Sequence, residues 1–138
     1  MAAESRIPAR HEDVFTQPVL LMSVEPVEDF DKVKAALDNG QIDPVSKRPT
    51  IDVQERDKAT QQRLWSVSII DPTARTGSRE IKVKIPADVQ PVPPNGLMAP
   101  AEFEGLEVIP YVDTNRTRPR LGIAYRATGF RRAAAKAA

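Results

Sequence analysis

The chain has 138 residues, 41% hydrophobic and 28% charged, with 13 prolines, one histidine and no cysteine. That size and apolar content suit one domain with its own core, and the lack of cysteine excludes a disulfide framework and a thiol nucleophile and fits a cytoplasmic protein. The net charge of +1 is unevenly placed: residues 1–60 hold eight Lys/Arg against twelve Asp/Glu, residues 61–138 hold twelve against seven, and the seven charged residues after Asp113 are all basic, which predicts a polyanionic partner.

Residues 1–17 are polar and mixed in charge, without the apolar core of a signal peptide, and read as a flexible N-terminal arm. Val19 to Val24 is an apolar run short enough for a buried strand, and Pro26 ends it because proline donates nothing to a ladder. In DFDKVKAALDNG, Val33, Ala36 and Leu37 have helical spacing, Asp29 or Asp31 can cap, and Asn39-Gly40 is a stop, so one short helix is expected. Residues 42–49 are loop. Ile51 and Val53 alternate with polar residues and predict a strand.

The stretch from Arg63 to Ile85 organises the rest. Trp65, Val67 and Ile69 alternate with serines, and Ile81, Val83 and Ile85 alternate with Glu80, Lys82 and Lys84. With Pro72 and Gly77 between them, the two runs predict a β-hairpin with one apolar face and one basic face. PADVQPVPPNGLMAP carries five prolines in fifteen residues. It predicts an extended crossing segment whose Val and Met side chains pack. Leu106 to Val112 reads as a strand in which Pro110 implies an edge or a bulge. In the last strand Leu121, Ile123, Tyr125 and Ala127 face one way and Gly122, Ala124, Arg126 and Thr128 the other. Residues 18–132 are therefore read as a single β domain, and 133–138 as a frayed tail. The expected fold is mainly β: a small antiparallel barrel or sheet, OB-like, with one short helix and a Pro-rich crossing segment.

Enzyme signatures are absent. A lone histidine, His11, in a loose arm supports neither a metal cluster nor a Ser-His-Asp arrangement, and no phosphate-binding glycine motif occurs. No catalytic residue, metal or cofactor is expected. The acidic run Glu25, Glu28, Asp29, Asp31 reads as a solvated face. No run approaches the ~20 apolar residues of a membrane helix. Nucleic-acid binding draws on more features. Phosphates need cations tracking the backbone, and bases need flat side chains. Lys82 and Lys84 lie on one strand face, Arg75 and Arg79 flank the first hairpin loop, Arg116, Arg118 and Arg120 occupy the next, and Arg126 points from the last strand. If the two hairpins adjoin, these form one basic groove. Tyr111 is the aromatic candidate, whereas Trp65 and Tyr125 share parity with Val67 and Ile123 and read as core. No pair of apolar-periodic helices forms a helix-turn-helix.

The ordered segments SVEPVEDFD, RDKATQQRLWSVSIID, REIKVKIPADVQPVPP, FEGLEVIPYVD and RPRLGIAYRATGFR resemble the plasmid replication, integration and excision activator family of actinobacterial integrative and conjugative elements, over roughly residues 18–132. None of these is a catalytic motif. The resemblance implies positive control of an element's replication, integration and excision, through DNA or through the element's own proteins. The expectation is a non-catalytic accessory DNA-binding protein that prefers single-stranded DNA, which an OB-like barrel suits. The competing readings are a protein that recruits the replication initiator or recombinase without touching DNA, and a transcriptional activator reading duplex DNA with a β-ribbon. No membrane partner is expected, and self-association is open.

Overall fold

A computed structural model describes residues 6–15, 19–71, 80–114 and 117–131. In chain order the elements are β1 (Ile7–Pro8), α1 (His11–Val14), β2 (Val19–Pro26), α2 (Phe30–Asp38), β3 (Leu64–Ile70), β4 (Glu80–Pro86), β5 (Pro100–Ala101), β6 (Phe103–Glu104), β7 (Glu107–Asp113), β8 (Arg120–Arg126) and β9 (Gly129–Phe130). The fold is mainly β, as the alternating runs predict. It is the open-sheet form of that expectation, not the closed barrel: seven strands lie in the order β1-β7-β8-β4-β3-β2-β5, and β6 and β9 pair separately.

The hairpin at the centre is in register from Leu64↔Pro86 to Ile70↔Glu80, and β2 lies antiparallel on its other side. One junction departs from antiparallel pairing. β4 and β8 run parallel, joined by Val83↔Tyr125 and Lys84↔Arg126. The sheet stays open because both edges are short and blunted. β1 and β5 have two residues each, and each contains a proline, which denies an incoming strand its donor.

Alternation buries Val67, Ile69, Val83 and Ile85 with Val19 and Leu21 on one face of the sheet. Phe15, Ala101, Phe103, Leu106 and Ala127 complete this core. The predicted arm therefore needs correction over residues 6–15. Phe15 is buried in the core, Ile7 pairs with Val108, and His11 Nδ1 accepts the Phe103 amide at 3.1 Å. Its aromatic side chains, not its polar ones, decide its placement.

α2 is capped by Asp29, whose Oδ1 accepts the Asp31 and Lys32 amides, and the chain leaves it through Gly40 at φ 67°, where glycine is unstrained. No strand forms around Ile51 and Val53. The Asp52 carboxylate accepts the Gln54 amide at 3.1 Å, a local bond that competes with a ladder, and only the isolated bridges Glu28↔Gln54 and Arg56↔Arg63 remain. Between Pro86, which ends β4, and Pro100 the proline segment has neither helix nor strand. Its Val89, Val92 and Met98 side chains are exposed, against expectation. Backbone bonds of 2.7 and 3.0 Å tie Met98 and Ala99 to Leu21 at its far end.

Pro110 sits where an edge proline is tolerated. β1 pairs only with Glu107 and Val108, so beyond Val108 the strand β7 has no neighbour but β8. Likewise β8 touches β4 only at Tyr125 and Arg126. The pairs from Ile109↔Ala124 to Asp113↔Arg120 thus form a two-stranded ribbon extending past the sheet.

Candidate nucleic-acid interface

The parallel β4–β8 junction has a geometric result. Parallel strands start at the same end of a sheet, so β4 and β8 begin on the same side. The two hairpins adjoin along this junction, at Val83↔Tyr125 and Lys84↔Arg126. Arg75, Arg79 and Arg116 lie outside the described residues.

Five candidates share the face of the sheet opposite the core. Lys82 and Lys84 alternate with Val83 and point outward, Lys84 pairs with Arg126, and on the same parity β8 carries Gly122 and Arg120. Tyr111 on β7 pairs with Gly122 on this same face. Arg118 is exposed in the loop beyond Arg120. The six steps from Arg126 to Arg120 span roughly 20 Å of strand at ~3.3 Å per residue.

These groups are not equally available. Arg126 is hydrogen-bonded to Asp57, both side chains being largely buried. Asp57 also accepts the Thr60 amide and hydroxyl at 3.0 and 2.9 Å, and the Arg126 guanidinium above all holds its carboxyl far below the usual carboxylate range. Arg126 therefore acts in the first place as a brace between β8 and the 55–60 loop. Lys82 and Lys84 border a groove that also carries Glu25 and Glu80, with Ser68 donating to Glu80 at 2.8 Å. Their charge is thus partly offset. Lys84, Arg118 and Arg120 make no ion pair among the described residues.

Of the aromatic side chains, Trp65 is 9% exposed and its Nε1 donates to the Ala87 carbonyl at 2.9 Å. Tyr125 faces the core, its ring 5.8 Å from that of Phe15, and burial raises its pKa. Both follow the parity expectation. Tyr111 is half exposed, and its ring lies over Gly122 so closely that a Cβ there would stand 2.2 Å from Cζ. A glycine opposite a strand tyrosine gives the ring a flat seat, leaving its other face to solvent.

Sequence reasoning missed Arg6, Arg56 and Lys58. They line a recess of about 260 Å³ beside Lys84 and Arg126. No periodicity signals them, because the loop and N-terminal segment that carry them reach the sheet only through tertiary contacts. Among the described residues no cluster of His, Cys, Asp or Glu could hold a metal ion, and no helix is long and apolar enough to cross a membrane. No protein-family model, curated protein or solved structure matches this chain in the comparisons made.

Proposed function

We propose that this protein is a non-catalytic accessory DNA-binding factor, of the kind that supports replication, integration and excision of a mobile element in the cytoplasm, with single-stranded DNA its preferred ligand. The observation that carries the reading is the shared outer face of β4, β8 and β7. There Lys82, Lys84, Arg120 and the seated Tyr111 ring lie on one side of the sheet, with Arg118 beyond them at the ribbon tip. Cations spaced along strands suit a phosphate backbone, and a ring with one free face suits a base. The preference for single strands rests on Tyr111, not on a closed barrel.

Anisotropy with single- and double-stranded oligonucleotides over a salt series tests this. Four phosphate contacts on a single strand give a slope of log K against log salt near −3, at about −0.7 per contact. Replacing Arg116, Arg118 and Arg120 with Ala should flatten it by about 2, and Tyr111→Ala should cost roughly 1–3 kcal/mol of affinity. Absence of binding at low salt ends the reading.

A second reading has its own observation. Val112, Leu121 and Ile123 on the ribbon's other face are 61%, 75% and 50% exposed. Contiguous apolar groups on a projecting element suit a protein partner, as a recruiter of the element's replication initiator or recombinase would require. Replacing Leu121 and Ile123 with Ser then abolishes recruitment and leaves DNA affinity intact.

A further inference from the structure

The recess at the base of the ribbon is built differently from the surface around it. Its floor is apolar: Leu64 and Ile109 are each 7% exposed, and Ala124 lies between strands. Its rim is cationic. Arg6, Arg56, Lys58, Lys84 and Arg126 line it, against two carboxylates among the described residues, Glu55 and Asp57. Asp57 is already engaged by Arg126. Arg56 is held by the Gln61 carbonyl at 3.2 Å and lies 3.8 Å from Asp52. Lys58 and Lys84 have no ion pair among the described residues, and they approach the recess from different segments, one from the 55–60 loop and one from β4. The Arg126–Asp57 pair fixes that loop against β8, so the two lysines are held across a braced gap.

Around about 260 Å³ the described lining gathers five cations, of which Arg126 is engaged by Asp57 and Arg56 lies near Asp52, so Lys58 and Lys84 face each other across a partly enclosed space. Like charges gathered in this way repel, and an anion at their centre relieves the repulsion and is held by charge-assisted hydrogen bonds. The volume is just below the roughly 300–1,000 Å³ of drug-sized ligand sites, so a group of nucleotide size or smaller fits.

We propose that this recess is a phosphate-binding site, taking a phosphate monoester from a nucleotide or from the end of a nucleic-acid strand, with Lys58 and Lys84 as its two principal ligands. The inference deepens the DNA-binding reading and shares Lys84 with that surface, while Arg6, Arg56 and Lys58 belong to the recess alone. A terminal phosphate carries more charge than an internal diester and needs no continuation of chain on one side, which suits a partly enclosed recess at the foot of the Tyr111 face.

The test is titration of the full chain, followed by amide chemical shifts, with inorganic phosphate, a nucleoside 5′-monophosphate, and short oligonucleotides bearing either a 5′-phosphate or a 5′-hydroxyl. Saturable shifts are expected around residues 55–58 and 124–126 with the monophosphate. Lys58→Gln and Lys84→Gln should each weaken that binding roughly tenfold, the scale of one charge-assisted bond. Both side chains are exposed and have no ion pair among the described residues, so both variants should fold, and unchanged thermal melts verify it. Arg118→Gln with Arg120→Gln should leave monophosphate binding unaltered. Tighter binding of the 5′-phosphorylated strand identifies a strand end as the source, and equal binding of the two strands identifies a free nucleotide. The proposal is overturned if no phosphate probe gives saturable shifts at the recess, or if the Lys58 and Lys84 variants bind the monophosphate as wild type does. DNA binding that survives this result keeps the functional reading, and monophosphate binding without DNA binding keeps the site while removing that reading.

Discussion

His11 shows how much one buried side chain can decide. It is 3% exposed and packs between Phe15 and Phe103, with ring centroids 5.2 and 6.0 Å away. Because Nδ1 accepts the Phe103 amide, the hydrogen of the neutral ring sits on Nε2, which has no partner among the described residues. Burial, first, lowers its pKa below the usual 6.5, and Arg131 adds to the effect while Glu102 and Glu12 oppose it. The unfolded chain thus binds a proton that the folded one refuses. Stability from this group is full above about pH 6.5 and declines as pH falls toward the folded-state value, with a slope of at most about 1.4 kcal/mol per pH unit. Urea unfolding at about pH 7.5 and pH 5 should show this loss, and His11→Asn, which keeps an acceptor but does not titrate, should remove it. Trp65 is the opposite case for legibility. Its parity with Val67 marks it as core without any knowledge of the fold, whereas the burial of His11 depends on Phe103, 92 residues away. Trp65→Ala should cost roughly 3–5 kcal/mol, measured by chemical denaturation. A variant that melts like wild type would show that the ring is not core.

Among the elements, the β7–β8 ribbon separates what alternation can and cannot tell. The parity of β8 is as the sequence predicts, and Tyr125 and Ala127 do face the core. Leu121 and Ile123 share that parity yet are exposed, because the rest of the sheet ends before it reaches them. Period-two alternation gives the side a residue faces, but how far the neighbouring strand extends is a tertiary matter. The strand expected at Ile51 fails for a local reason, the Asp52 carboxylate, which was visible in the sequence and outweighed the apolar pattern. A two-stranded ribbon with no third strand is only marginally stable. Amides of residues 109–113 and 120–124 should therefore exchange with solvent well before those of β3 and β4, read by native-state hydrogen exchange. Gly122→Ala should unseat the Tyr111 ring, since a flexible side chain yields more readily than backbone, and tyrosine ring shifts should report the move while stability changes by less than about 1 kcal/mol.

For the molecule as a whole, the basic outer face was legible as far as the strands carry it, through Lys82, Lys84 and Arg126. The recess was not, since Arg126 meets Asp57 from 69 residues away. The same separation shapes how the chain reaches its fold. Each hairpin, β3–β4 and β7–β8, closes between neighbouring runs, and these steps need little search. Joining them needs the parallel seam at Val83↔Tyr125, and β1 can add only after β7 exists, through Ile7↔Val108. Loop-closure entropy must be met before such distant pairings reward it, so refolding should be slow for the chain's size, in the millisecond-to-second range of non-local β proteins. Ala substitution at Val83, on the seam, should slow refolding more than Ala substitution at Ile7, which should act mainly by speeding unfolding. A seam of two residue pairs should therefore be the kinetic bottleneck of the fold: until it closes, the chain is two hairpins on one string.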